Sequence, residues 1–297
     1  MSDETQWVEI PAGSLVKVTC MNHLIEVQYM EKMNDKCPIK KLNKDNYLVL
    51  DTGEIKEFEH IKTRKDSICS LKQTFKKLRY LINNNFSGKP NELHVVLTYA
   101  ENMTDTKRLY RDFKNFMDRL KYNFKGQSSI DYISVIEPQK RGAWHSHLLL
   151  RFNDLDTVYI ENKKLAELWG HGFVKIRSLK DVDNIGAYLS AYLTDVELIN
   201  DDILRTISDK KEVTIKKVDG KEKMFIKGGR LHMYPPGMNL FRKSKGIVYP
   251  ERTKMKYAQV KKEIVGNRDP HYSRSISIKD NDFENTIIHE QYNMKRM

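Results

Sequence analysis

The chain has 297 residues, 39% hydrophobic and 31% charged, with 52 Lys and Arg against 40 Asp and Glu and a formal net charge of +12. That balance suits a soluble protein of one large domain with smaller additions, and the charge points to a polyanion, nucleic acid before an anionic membrane, with solubility as the plainer reading. Cys20, Cys37 and Cys69 form no CxxC pair, the start is acidic rather than signal-like, and no apolar run nears the ~20 residues of a bilayer span. These features argue against a disulfide scaffold and a membrane partner, and for a reducing cytoplasm.

Residues 1–62 read as a small β-rich module. Leu15–Cys20 and Leu24–Tyr29 are β-branched runs, and Asp51-Thr-Gly53 is a hairpin turn. His23 and His60 read as surface or turn residues. Residues 63–90 read as a basic amphipathic helix and linker. Ile68, Leu71, Phe75, Leu78, Leu81 and Ile82 recur at helical spacing, opposite Lys72, Lys76, Lys77 and Arg79. The lysines suit a solvated face or phosphate contacts equally. Phe86-Ser-Gly-Lys-Pro90 marks a boundary.

From 91 to 196 the expected order is β-α-β-β-α-β-α. Strand Leu93–Tyr99 leads to a helix over 106–122, capped by Thr104 or Asp105. Strand Ile130–Ile136 follows, then a hairpin through Glu137 and His145, a helix over 161–169, strand Phe173–Arg177 and a helix opening at Ile185. This predicts an α+β fold: an antiparallel sheet with helices packed on one side in a split βαβ, ferredoxin-like layout. Residues 197–250 carry a second hairpin at Asp219-Gly220 and a basic, aromatic-bearing stretch, 227–246. That composition suits gripping a DNA backbone, or equally an ordinary surface loop. The tail 251–297 reads as a short helix near 253–265 followed by a polar, partly disordered stretch.

The chemistry gathers at Glu137-Pro-Gln-Lys-Arg-Gly-Ala-Trp-His145-Ser-His147. Strand alternation sends His145 and His147 to one face, and closure around Arg141-Gly142 brings Glu137 opposite them. Two imidazoles and a carboxylate make a three-ligand site for Mn²⁺ or Mg²⁺. Two same-face histidines alone are weak support, since many strands carry them without catalysis. Tyr188 and Tyr192, at i and i+4, share a helix face. Taken alone they are most simply half-buried packing residues behind Ile185. Together the two groups fit one reaction: a cation neutralises a phosphodiester oxygen while a tyrosine attacks phosphorus.

Three motifs in order give the chain its resemblance to the HUH endonucleases, specifically rolling-circle replication initiators of the two-tyrosine type. They are Val95-Val-Leu-Thr-Tyr99, Trp144-His-Ser-His-Leu-Leu149 and Ile185-Gly-Ala-Tyr188-Leu-Ser-Ala-Tyr192. Glu137–Trp144 and Leu231-His-Met-Tyr-Pro-Pro-Gly-Met238 also resemble segments in replication proteins of Gram-positive mobile elements. Two departures stand out. Ser146 replaces the apolar middle residue, and Ala191 and Asp195 occupy positions where many relatives carry Lys. Lys175 and Arg177 are the stand-ins for that positive charge.

The resemblance implies a metal-dependent single-strand endonuclease that nicks an origin, single-stranded or hairpin, and keeps a 5′-phosphotyrosine on Tyr188 or Tyr192. Thr98, Lys140, Arg141, Lys175, Arg177, Arg230, Arg242 and Lys243 are the expected DNA contacts. No G-x-x-x-x-G-K-[ST] motif occurs, so a helicase, like the polymerase, would come from the host. The same chemistry serves transposases and relaxases. A non-catalytic nucleic-acid regulator is the reading from another class.

Overall fold

A computed structural model of the chain describes residues 9–33, 38–58, 68–139, 142–194, 196–197, 213–218, 221–226, 234, 238–280 and 283–296. The fold is α+β, in two compact units: residues 1–62 with 250–297, and residues 63–249. The first unit begins with β1 (Leu15–Met21) and β2 (Leu24–Met30), joined by a tight turn in which Asn22 takes φ +52°. Asn tolerates that left-handed region better than most residues. A meander follows: β3 (Ile39–Lys41), β4 (Asn46–Val49) and β5 (Ile55–Glu57), with Gly53 at φ +69° in the expected turn.

The second unit opens with α1 (Ile68–Asn85), β6 (Glu92–Tyr99) and α2 (Thr106–Asn123). The Asp105 carboxylate caps α2, accepting from the backbone N–H of Lys107 and Arg108. Its stripe of Leu109, Phe113, Phe116, Met117 and Leu120 is buried, each side chain contributing about 1.5–3 kcal/mol. Next come β7 (Ile130–Pro138), β8 (Trp144–Phe152), α3 (Asn162–Trp169), β9 (Gly172–Ser178) and α4 (Ile185–Thr194). This is the order read from the sequence. β10 (Val196–Glu197), β11 (Val213–Val218) and β12 (Lys221–Ile226) form a small sheet, and β13 (Phe241–Lys243) joins the main one.

That main sheet runs β13-β7-β8-β6-β9, antiparallel throughout, so β8 lies between β6 and β7 as a split βαβ requires. Both its faces carry helices, which corrects the expectation of one. α2 and α3 cover the face bearing Leu97, Tyr99 and Tyr132, where Tyr99 packs on Trp169 and Phe113 on Tyr132. α1 and α4 cover the opposite face, where Arg151 Nη1 donates to Asn85 O at 2.8 Å and Tyr188 meets His94. Gly186 lets these two helices close, because a Cβ there would lie 2.9 Å from the Arg79 carbonyl oxygen. The space under α4 is thus a wedge between a helix pair and the histidine face.

The Phe86–Pro90 turn, offered by the sequence as a boundary, is internal to this unit. Glu92 is 1% exposed and its carboxylate accepts backbone N–H groups from Ser87, Gly88 and Lys89, fixing α1 to the start of β6. Gly and Pro signal a turn, but they do not distinguish a linker from a braced corner.

The chain then returns to the first unit as β14 (Arg252–Lys256), a short helix of α and π turns over Tyr257–Val265, β15 (Tyr272–Asp280) and β16 (Phe283–Asn293). The sheet order is β14-β1-β2-β16-β15. Residues read as a disordered tail are therefore a large part of this sheet, and the helix begins only at Tyr257. A two-faced strand needs apolar residues only at alternate positions. Ile288 and Tyr292 supply them, each 1% exposed, and pairing with β2 supplies the rest.

Candidate active site

The β7–β8 hairpin sets the site. Gly142 takes φ +86°, a conformation that only glycine adopts cheaply. The register pairs Glu137 with His145 and Val135 with His147, so Glu137 shares the histidine face. Glu137 and His147 are diagonal neighbours, within reach of long side chains. The Glu137 carboxylate contacts His147 Nε2 directly. The two are 6% and 4% exposed, while His145 is half-buried at the rim. Burial lowers the His147 imidazole to a pKa of about 4, so its ring is neutral at physiological pH.

The next strand completes the floor. β6 pairs Thr98 with His145 on one side and with Phe173 on the other. Val96 lies between His147 and Lys175, and His94 lies beside Arg177. Thr98 is half-buried next to the histidines, and Lys175 is exposed on the same face. Tyr188 comes down from α4. Asn184 Oδ1 accepts from Ala187 N at 3.0 Å and caps that helix. The Tyr188 hydroxyl accepts a hydrogen bond from Arg177 Nη1 at 3.2 Å. A strand-borne guanidinium therefore stands at the tyrosine where many relatives have a helix-borne lysine.

One member escaped the sequence reading. His94, 4% exposed, has its Nε2 at 3.2 Å from His147 Nδ1. The two rings stack at 5.4 Å and 17°, and the His94 ring meets Tyr188 edge-on at 5.9 Å. Burial first, then the charges of His147, Arg177 and Lys175, lower its pKa to about 3. Strand alternation places His94 on the face of Thr98, yet only the sheet order brings that face to His147.

Other expected contacts lie elsewhere or outside the described residues. Arg242 stacks its guanidinium 3.7 Å over the Tyr110 ring, on the α2 side of the sheet. Lys243 Nζ donates to Ile247 O at 2.7 Å. Neither joins the histidine pair. Lys140, Arg141, Arg230, Asp195, His60 and Cys37 fall outside the described residues, as does the side chain of Tyr192.

The donor set fits a divalent cation in kind: a buried carboxylate, a buried neutral imidazole and a second imidazole at the rim. Among the described residues no three His, Cys, Asp or Glu groups already converge on one point, because His147 and Glu137 turn toward each other. Also among the described residues, no helix is long and apolar enough to cross a membrane.

Residues 92–197, from β6 through β10, match the sequence family of replication-associated proteins of the ORF2 type. The match supports a replication initiator family, and it spans every site residue placed above. No curated protein and no solved structure matches the chain.

Proposed function

We propose that the chain is a replication initiator that cuts single-stranded DNA at an origin by transesterification, with Tyr188 as nucleophile. The contact of Glu137 with His147, beside His145 and under the Arg177-bound hydroxyl of Tyr188, carries this reading. A binding module needs no such pairing of a cation-type donor set with a held phenol. Glu137, His145 and His147 would hold Mn²⁺ or Mg²⁺. When bound, that ion supplies charge to a non-bridging phosphate oxygen.

The chain's own groups do the remainder. Tyr188 Oη forms a bond to phosphorus as the bond from phosphorus to the 3′ oxygen breaks, and the phenol proton ends on that oxygen. The products are a 5′-phosphotyrosine and a free 3′-OH, which a host polymerase extends after a host helicase opens the duplex. Phosphodiester bonds are conserved in number, so the joining reaction runs the same step backward. Arg177 holds the phenol oxygen and balances charge as it develops. Thr98 and Lys175 flank the DNA on the sheet face.

The test is a pool of labelled single-stranded DNA incubated with the protein and Mn²⁺, then separated under denaturing conditions. A covalent protein–DNA band that requires the metal is the expected result, lost in His145→Ala while DNA binding persists. Tight binding with no adduct at any sequence would instead assign the chain to the non-catalytic regulators.

A further inference from the structure

His94 has no role in the reaction just described, yet it touches both halves of the site. It is buried on β6, and its Nε2 faces His147 Nδ1 at 3.2 Å. Its Nδ1 is buried and has no hydrogen-bond partner among the described residues. Its ring edge seats the Tyr188 ring. An imidazole facing an imidazole is an uncommon choice for a protein core, because each ring presents one donor and one acceptor and the pair works only when the tautomers agree.

We propose that His94 is a positioning residue: through Nδ1 of His147 it sets which nitrogen of that ring is free for a divalent cation, and through its edge it sets where Tyr188 sits. The inference rests on the cation-binding reading above. The logic is a proton count. With the Glu137 carboxylate on His147 Nε2, that nitrogen carries hydrogen, so His147 Nδ1 accepts and His94 Nε2 donates. For His147 Nε2 to offer a lone pair to a cation, its hydrogen must sit on Nδ1 and be given to His94 Nε2. His94 must then carry its own hydrogen on Nδ1. Both rings keep one hydrogen each, and both switch together.

The partnerless Nδ1 of His94 is what allows the switch. A fixed donor or acceptor at that position would lock His94 in one tautomer and His147 with it. A ligand imidazole ordinarily has its second nitrogen held by a carboxylate or carbonyl, which fixes a single tautomer. An imidazole in that place gives a holder that works in both states. The cost is one buried ring nitrogen left unsatisfied.

Two measurements on the full chain test this. In the first, Mn²⁺ is titrated into wild type, His94→Leu and His94→Gln. The leucine variant is expected to bind about 10–100-fold more weakly, and the glutamine variant, whose amide can donate or accept, to recover much of that loss. Equal binding by wild type and leucine variant overturns the proposal. In the second, long-range ¹H–¹⁵N correlation of the wild-type histidines reads the tautomers with and without Mg²⁺, and needs no variant to fold. Both His94 and His147 are expected to pass from the Nε2–H to the Nδ1–H form on metal addition. A change at His147 with His94 unmoved overturns the proposal even if the leucine variant binds weakly through a loosened fold. Failure of the wild type to bind any divalent cation removes the underlying reading itself, an outcome distinct from the other two.

Discussion

Each unit of this protein buries a carboxylate within a five-stranded antiparallel sheet, and the two carboxylates are served in opposite ways. Glu290 of β16 and Glu137 of β7 are both 6% exposed. Glu290 accepts from the Tyr292 hydroxyl at 2.7 Å and from Tyr257 at 3.0 Å. Burial, and the carboxylate beside them, keep both phenols protonated, with Tyr257 pushed up to about 12 and Tyr292 raised as well. Both hydroxyl donors there have an acceptor. Glu137 instead meets an imidazole whose role depends on its tautomer, backed by a second imidazole whose Nδ1 has no partner among the described residues. A buried carboxylate points to chemistry when its partners keep coordination capacity. Saturated by hydroxyls, it points to a braced fold.

That contrast breaks most readily at the nucleophile. Tyr188→Phe is expected to cut adduct formation by roughly 10³-fold or more with an unchanged melting temperature, read on the denaturing gel. Substantial adduct in that variant would transfer the role to another tyrosine. Arg177→Leu is expected to slow the cleavage step by about 10²-fold, with DNA binding nearly unchanged and partial recovery in Arg177→Lys. Single-turnover rates separate the two effects.

The first unit should answer in stability alone. Tyr292→Phe removes a donor from a buried carboxylate and should cost about 1–3 kcal/mol in chemical denaturation, leaving nicking by the folded protein intact. Loss of activity without loss of stability would erase the distinction between the two carboxylates. The smallest effect is in alkali. The Tyr257 phenol is raised from 10.0 to about 12 in the fold, so its contribution is full below pH 10 and fades as pH climbs through about 12. Denaturation curves across that window should show the first unit weakening, and Tyr257→Phe should flatten the dependence.

Much of the second unit was legible in the sequence because its signals are local. Asp105 capping α2, Gly170 at φ +73° ending α3 and the same-face pair His145 and His147 follow from short-range rules. The Glu137 register also agrees with the sequence reading, because a hairpin with a short turn leaves few alternatives. What escaped depends on long-range pairing. β16 reads as polar tail until β2, from the opposite end of the chain, sets Leu24 against Asn293 and Tyr29 against Ile288. His94 lies 53 residues from His147 and becomes a site residue only when β6 inserts next to β8. Arg242 failed for the same reason: its charge was visible, but the side of the sheet it takes was not.

The central claim is that Tyr188 becomes covalently joined to DNA when a divalent cation is present. Wild-type protein is reacted with single-stranded DNA and Mn²⁺, digested with nuclease and protease, and its peptides are mapped by mass spectrometry. The account predicts a nucleotide attached through a 5′-phosphate to Tyr188, absent when the metal is chelated. A modification on any other residue, or the same yield with the metal removed, would contradict it.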